Sequence, residues 1–308
     1  MTEHAPDALD KPVQFFTGKG GVGKSTVISA VALRAAKQGR RPLIVELGAH
    51  TSTAHMSGGE PVGYDPVETL EGVHATRVLF EPALVDYIAS RLKLRPIARA
   101  VAKNASLRRL FVAAPGVDEI VTMHRVADLA TESSWGPVLI DLESTGNALM
   151  FFDLPQVLDS FLEDGPLRQV VDRATRLLRD PERCVVHVVS VPEPLVVRET
   201  IDLYRGLLER QGVNLGRLFI NRVPPLWLDP QERDQIERAL AAVDREHDLH
   251  GRLRLIQWVA NRRDIAQRCI DGLRHDIPLP TTELAMSHRG VGGIIGELAH
   301  ALDVEVSP

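Results

Sequence analysis

The sequence contains few cysteines, since Cys184 and Cys269 are the only two in 308 residues and they do not form a CxxC pair. Two cysteines cannot build a disulfide framework, and they supply too few thiolate ligands for a zinc site. We therefore expect two buried thiols in a reducing compartment.

Positive charge and long apolar runs are also scarce. The 36 lysine and arginine residues are outnumbered by 41 aspartate and glutamate residues, which gives a formal net charge of -5. Nucleic acid is therefore not expected as a partner, because phosphate backbones are usually held by a basic excess. No stretch is long enough to span a bilayer, and the polar residues 1–11, which lack an apolar signal-peptide core, are predicted to form a disordered lead. A cytoplasmic protein that does not insert into a membrane is the expectation.

Short β-branched apolar runs alternate with longer segments of helical period along the chain. This alternation predicts an α/β fold in which helices flank a mostly parallel sheet. The predicted strands are residues 13–16, 42–46, 73–80, 137–141, 184–191 and 218–221, with a short one at 276–277.

Two stretches, residues 81–133 and 148–180, are almost wholly helical in pattern and exceed a minimal strand–helix–strand unit. We predict that they form a helical insertion subdomain within a single domain spanning residues 12–308. Four arginines on one face of the second stretch favour a solvated surface, with an anionic partner as the alternative: Arg168, Arg173, Arg176 and Arg179. Helical pattern returns at 231–273, with a break near 249–251, and at 283–302.

A glycine-rich segment follows the first predicted strand and precedes a helical run. It matches G-x-x-x-x-G-K-[ST] and comprises Gly18, Lys19, Gly20, Gly21, Val22, Gly23, Lys24, Ser25 and Thr26. Glycines allow the backbone amides to curl around phosphates, and the following helix adds its positive N-terminal end. Lys24 is predicted to reach the β- and γ-phosphates, and Ser25 to ligate magnesium. The segment therefore predicts a P-loop NTPase that binds the phosphates of a Mg-nucleotide.

Lys19 is a second lysine, placed where an ordinary phosphate loop does not require one. The string from Gly18 to Thr26 resembles the deviant Walker A loop of the MinD/ParA, nitrogenase-iron-protein and arsenical-pump ATPases. The resemblance implies a dimer in which Lys19 reaches the nucleotide of the partner subunit.

Further segments, between residue 13 and about residue 302, resemble the arsenical-pump and tail-anchored-protein-targeting ATPases. Asp141 to Leu149 with Leu154-Pro155 is similar to their switch II segment, and Phe219 to Val223 to their V-N-R-V turn. The other matches are residues 115–119 to P-G-x-D-E, residues 191–200 to P-E-x-x-x-V-x-E-T, and residues 278–280 to P-L-L-P.

This resemblance implies roles for individual residues. Asp141 would hold magnesium through water, the Gly146 amide would sense the γ-phosphate, and Asn221 would select adenine. Pro278 and Pro280 would contribute to the nucleotide site.

The chain departs from the family pattern where the family has an aspartate that orients the attacking water. Gly48 occupies that position. Hydrolysis is therefore expected to be slow or to use a substitute, and we rank the candidates Glu46, Glu143 and His50 in that order. The family's zinc-binding CxxC and arsenite-binding cysteine cluster are both absent from the sequence, so a zinc-stapled dimer and arsenite transport are not expected.

In the targeting branch of the family, helical insertions form a groove for a transmembrane helix when ATP closes the dimer. Candidate groove residues here are residues 149–152, Leu154, Val157, Leu158, Phe161 and Leu162, and on another helix Ile120, Met123 and Val126. We favour a dimeric ATPase, a homodimer or a heterodimer of paralogues, with a hydrophobic or membrane-protein client. A non-hydrolytic, nucleotide-gated scaffold and a MinD/ParA-like spatial regulator remain alternatives.

Overall fold

The structure of the chain is a computed structural model that describes residues 7–47, 62–92, 96, 104, 116–142, 145–159, 165–225, 228–244 and 247–306. The strands are β1 (Val13–Thr17), β2 (Leu43–Glu46), β3 (Val67–Leu70), β4 (Val73–Arg77), β5 (Val138–Asp141), β6 (Cys184–Ser190), β7 (Leu215–Val223) and β8 (Thr281–Ala285). The helices are α1 (Lys24–Lys37), α2 (Phe80–Leu92), α3 (Val117–Thr131), α4 (Thr145–Asp159), α5 (Pro166–Arg179), α6 (Pro194–Leu208), α7 (Pro230–Ala242), α8 (Asp248–Asp276) and α9 (Val291–Val306).

The strands form one sheet in the order β3-β4-β2-β5-β1-β6-β7-β8. Only β3 pairs antiparallel among them, so the predicted α/β fold with a mostly parallel sheet is confirmed. Neighbouring residues of β1 enter different cores: Phe15 packs with α3 to α6 on one face, and Phe16 packs with α1 and α9 on the other. The buried apolar runs are therefore those of a sheet covered on both sides.

Several predicted boundaries are wrong at the edges of the sheet. Strand β4 ends at Arg77, and residues 80–92 belong to α2. Residues 276–277 lie at the end of α8, whereas the last strand is β8. Both β3 and β8 were missed because edge strands need few apolar residues, and in β8 only Thr282 and Leu284 are buried.

The helices after β7 also differ from the prediction. Helix α7 ends at Ala242 and α8 begins at Asp248, so the chain does not break at 249–251. The His247 side chain caps α8 by accepting a hydrogen bond from the Leu249 amide. Gly251 therefore lies inside the first turn of a helix. Residues 283–285 are part of β8, and α9 begins only at Val291.

The lead predicted for residues 1–11 is wrong for its second half. Residues Ala8–Asp10 form a 3-10 turn whose Leu9 is fully buried. Gln14 donates to the Leu9 carbonyl at 2.8 Å, and Asp7 lies 3.1 Å from the Arg217 guanidinium. Residues 1–6 lie outside the described residues.

Helices from the two predicted insertions lie directly on the sheet. Ile120, Met123 and Val126 are all buried, so they belong to the core and the prediction that they line a client groove is wrong. Arg173 of α5 pairs with Asp128 of α3, so one of the four arginines joins two helices of the same layer. Within the part of the chain that the structure describes, no helix has the length and apolar character needed to cross a membrane.

Candidate nucleotide-binding site

The glycine-rich segment forms a tight loop between β1 and α1 at the carboxyl edge of the sheet. Gly18 has a φ of 153°, and a Cβ atom there would lie 2.1 Å from the Val189 carbonyl oxygen of β6. Gly23 has a φ of 87°, and its Cβ would lie 2.4 Å from the Asn221 side-chain nitrogen. Both positions exclude a side chain through backbone conformation and through close neighbours.

Lys24 lies across this loop. Its ammonium donates to the Gly18 carbonyl at 3.0 Å and approaches the Lys19 carbonyl at 3.4 Å. Burial lowers the pKa of Lys24, while the charge of Asp141 acts in the opposite direction. A cation held at the mouth of a loop of backbone amides is suited to an anion with several oxygens.

Ser25 and Asp141 face each other beneath the loop. The Ser25 hydroxyl donates to Asp141 Oδ2 at 2.5 Å. The pKa of Asp141 is raised to about 6, mainly by burial and also by the neighbouring Glu46, while the Ser25 hydrogen bond and the charge of Lys24 act in the opposite direction. A hydroxyl and a carboxylate in this arrangement fit a hard cation such as magnesium, whose charge would favour the ionised carboxylate.

Glu46 ends β2 and pairs in register with Asp141 at the end of β5. Its side chain is only 2% exposed. Glu46 therefore lies one strand further from the phosphate loop than Asp141 does. Of the other predicted water-positioning candidates, Glu143 and His50 lie outside the described residues.

Asn221 supports the phosphate loop from below. Its side-chain nitrogen donates to the Val22 carbonyl at 2.9 Å, and its side-chain oxygen accepts from the Arg222 amide at 2.9 Å. Arg222 has a φ of 55°, an uncommon conformation for a residue with a side chain. The carboxamide keeps a second N–H and a second lone pair. It can therefore bind the loop and a base together.

Lys19 makes its contact within the same chain. Its ammonium lies 2.8 Å from Oε1 of Glu199 on α6. Sequence reasoning missed this partner, although Glu199 is part of the segment that resembles P-E-x-x-x-V-x-E-T.

The structure brings the phosphate loop, Asp141 and Asn221 together. Gly146 lies in the first turn of α4, where helix amides have no partner in the helix. Pro278 and Pro280 precede β8, and the Pro280 carbonyl accepts from Leu218 near the middle of β7. The site lies at the far end of these parallel strands. The structure therefore does not place the two prolines in it, because the last strand begins at Thr281, five residues later than predicted.

A cavity of about 440 Å³ opens beside the site, between the ends of β6, β7 and β8 and the helix α8. Its lining includes Arg222, Trp258, Arg262, Met286 and His288. The Arg262 guanidinium carbon lies 5.0 Å from the centre of the Trp258 ring. No local sequence pattern indicates this cavity, since its walls come from separate segments.

Comparison with known proteins identifies ATPases as relatives of this chain. Residues 12–169 match the family model described as anion-transporting ATPase. The chain is 25% identical to ATPase BagA of Mycobacterium tuberculosis over 227 residues, which are 70% of this chain and 66% of that protein. It is 26% identical to the arsenical pump-driving ATPase of Escherichia coli over 249 residues, which cover 73% of this chain and 41% of that protein.

A further relative is the putative arsenical pump-driving ATPase 2 of Aquifex aeolicus, 24% identical over 246 residues, with 69% of this chain and 80% of that protein covered. The chain thus spans just under two thirds of the mycobacterial relative and less than half of the one from Escherichia coli. Because the family model covers just over half of the 308 residues, the chain belongs to the anion-transporting ATPase family.

Proposed function

We propose that this chain binds Mg-ATP, hydrolyses it, and acts as a dimeric switch that couples nucleotide-driven closure to binding of a hydrophobic or membrane-protein client. The arrangement of Lys24, Ser25 and Asp141 around the loop carries the first part of this proposal. Lys24 donates to the loop, Ser25 donates to Asp141, and the charge of Lys24 acts on Asp141. Side chains that are held in place by such contacts need little reorganisation to bind a nucleotide, which favours affinity.

Phosphate oxygens would replace the loop carbonyls as acceptors for the Lys24 ammonium. The amides of Gly21 to Lys24 would surround the β-phosphate, and the N-terminal end of α1 would add its partial positive charge. Closure of the site around the nucleotide would exclude water from these contacts and strengthen them.

Ser25 and Asp141 would hold the magnesium ion, Asp141 through water. When bound, the ion supplies charge that neutralises the phosphate oxygens. Asn221 would hold the loop and contact the adenine base at the same time.

Orientation of the attacking water is assigned to Glu46 or Glu143, since Gly48 replaces the usual aspartate. We expect slow turnover because of this substitution. Lys19 would act on the nucleotide of a second copy, and the exposed Met150 and Val157 of α4 are the described residues of the predicted client groove that remain at the surface. Two of the relatives carry the name arsenical pump-driving ATPase, one of them as a putative assignment.

Replacement of Lys24 by alanine tests the nucleotide site. Lys24→Ala removes a charge-assisted contact worth about 1.5 to 3 kcal/mol, so the dissociation constant for ATP should rise at least tenfold. Isothermal titration of the parent and variant with Mg-ATP measures this change. Lys37→Ala, at the exposed end of the same helix, is the matched control and should bind ATP like the parent.

Equal affinity of Lys24→Ala and the parent would refute the phosphate-loop assignment. A parent protein that binds ATP but releases no phosphate, with or without client, would instead support the nucleotide-gated scaffold.

A further inference from the structure

The lysine that follows the first loop glycine is held by an acidic side chain far away in the sequence. Lys19 Nζ and Glu199 Oε1 are 2.8 Å apart, although the two residues are separated by 180 positions. The side chains are 32% and 41% exposed, so water and other ligands can reach both partners. The ion pair therefore has a defined geometry, and another anion can replace Glu199 as the partner of Lys19.

Glu199 is presented by a firmly anchored element. Its neighbour Thr200 is buried, donates to the Val196 carbonyl at 2.7 Å and lies 2.8 Å from the Ser190 hydroxyl at the end of β6. Helix α6 follows β6 after three residues, and Leu203 packs it onto the core. The carboxylate is thus fixed relative to β6.

The phosphate loop is fixed to the same strand. The Cα of Gly18 approaches β6 so closely that an added Cβ would lie 2.1 Å from the Val189 carbonyl oxygen. The backbones of Lys19 and Glu199 are therefore both fixed relative to β6, and only the lysine side chain has to move to change partner. While it bonds to Glu199, its ammonium stays beside α6 of its own chain.

We infer that Glu199 is a positioning residue for Lys19: it restrains the ammonium in the separate chain and releases it when two copies close on ATP. This inference rests on the proposed function, in which Lys19 reaches the nucleotide of a second copy. A triphosphate carries more negative charge than one carboxylate, so it can displace Glu199 as the partner of the lysine. This gives a role to Glu199, the last glutamate of the segment that resembles P-E-x-x-x-V-x-E-T.

The strength of the restraint determines the expected effect. Exposed ion pairs of this kind change an equilibrium by roughly two- to fivefold. A dimer with two-fold symmetry must break two such pairs. Removal of both ion pairs should therefore lower the dissociation constant of the ATP-bound dimer by roughly four- to twenty-five-fold.

The variant Glu199→Gln tests this inference by removing the charge while keeping the shape. Sedimentation velocity with a non-hydrolysable ATP analogue and magnesium should show a dimer dissociation constant lower by that factor. Phosphate release should reach half its maximum at a correspondingly lower protein concentration. In a Lys19→Ala background the same substitution should give no gain, because there is no ammonium left to restrain. A structural role for Glu199 would alter thermal unfolding and would not depend on Lys19.

Asp202→Asn on the same helix is the matched control, since Asp202 is well exposed and lies 3.9 Å from Arg205 rather than near the loop. It should leave dimerisation unchanged, and Glu199→Ala serves as a second variant if Glu199→Gln folds poorly. If Glu199→Gln dimerises no better than the parent, or if its gain persists in the Lys19→Ala background, the inference about Glu199 is wrong. The proposed dimeric switch would still stand in that case, provided that Lys19→Ala alone weakens dimerisation. A parent that stays monomeric with the analogue, or a Lys19→Ala variant that dimerises normally, would remove the proposed switch and this inference with it.

Discussion

At the scale of single residues, we propose that Glu46 or Glu143 orients the water that attacks ATP. Glu46 is next to Asp141 in the register of the sheet, and Glu143 follows Asp141 by two positions in the sequence. Carboxylates can accept a proton from water and orient it, whereas the corresponding amides cannot act as bases.

We expect Glu46→Gln or Glu143→Gln to lower phosphate release by about 10²-fold while ATP binding is retained. Single-turnover phosphate release, measured beside ATP titration, separates these two effects. Glu71→Gln in the exposed β3–β4 turn is the control, and His50→Ala tests the remaining candidate. Unchanged turnover in all three candidate variants would contradict the assignment of a substitute group.

The residues of the phosphate loop were predictable because their chemistry is local. Gly18, Lys24 and Ser25 occupy fixed offsets in a short motif, and the loop conformation follows from those offsets. The partner of Lys19 was not predictable in this way. Glu199 meets it only because α6 follows the strand on which Gly18 rests.

At the scale of elements, a buried arginine joins both ends of the chain to α1. Arg34 is 4% exposed, and its guanidinium lies 3.2 Å from Asp303 of α9 and 3.8 Å from Asp10 of the N-terminal turn. Truncation would leave the acids without this cation and create a small cavity between α1 and α9.

Arg34→Ala should therefore lower the free energy of unfolding by about 1 to 3 kcal/mol. Arg40→Ala is a matched control, since Arg40 pairs with the same Asp10 at 3.1 Å from a more exposed position. It should cost at most about 1 kcal/mol. Urea denaturation of both variants makes the comparison, and equal losses would contradict a special role for the buried arginine.

Helices and strands differed in how well their sequences predicted them. The central strands β1, β2, β5 and β6 consist mainly of buried apolar residues, because each is covered on both faces. The edge strands β3 and β8 carry polar residues such as Glu68 and Thr281, so their pairing depends on a neighbouring strand rather than on their own composition.

At the scale of the whole molecule, a neutral histidine in the core makes stability depend on pH. His187 of β6 is fully buried between Phe16 and Phe219, and its ring nitrogen Nδ1 accepts from the Arg217 amide at 3.0 Å. Burial, together with the charge of Arg217, lowers the pKa of His187 to about 3, compared with 6.5 for an unburied histidine.

The unfolded chain therefore binds a proton at His187 between pH 6.5 and about 3 while the folded chain does not. The stabilisation is complete above pH 6.5 and is lost as the pH falls below it, by about 1.4 kcal/mol at pH 5.5. We expect the parent to lose more stability between pH 7.5 and pH 5.5 than His187→Gln does, as measured by urea denaturation.

The raised pKa of Asp141 acts in the opposite direction between pH 3.8 and about 6, but it is common to both proteins and cancels in the comparison. Equal losses of stability in the parent and His187→Gln would contradict the assignment to His187. As the pH falls, Asp141 therefore increases the free energy of unfolding, whereas His187 decreases it.

The sequence by itself determined the fold class, the phosphate loop and the family, because apolar periodicity and short-range glycine and lysine spacing are local properties. The tertiary structure alone decided which distant groups meet: Glu199 at Lys19, Asn221 beneath Val22, and Glu46 beside Asp141. It also removed Pro278 and Pro280 from the site by starting β8 at Thr281. These contacts depend on strand order and register, which are set by the packing of the whole sheet and not by any one segment.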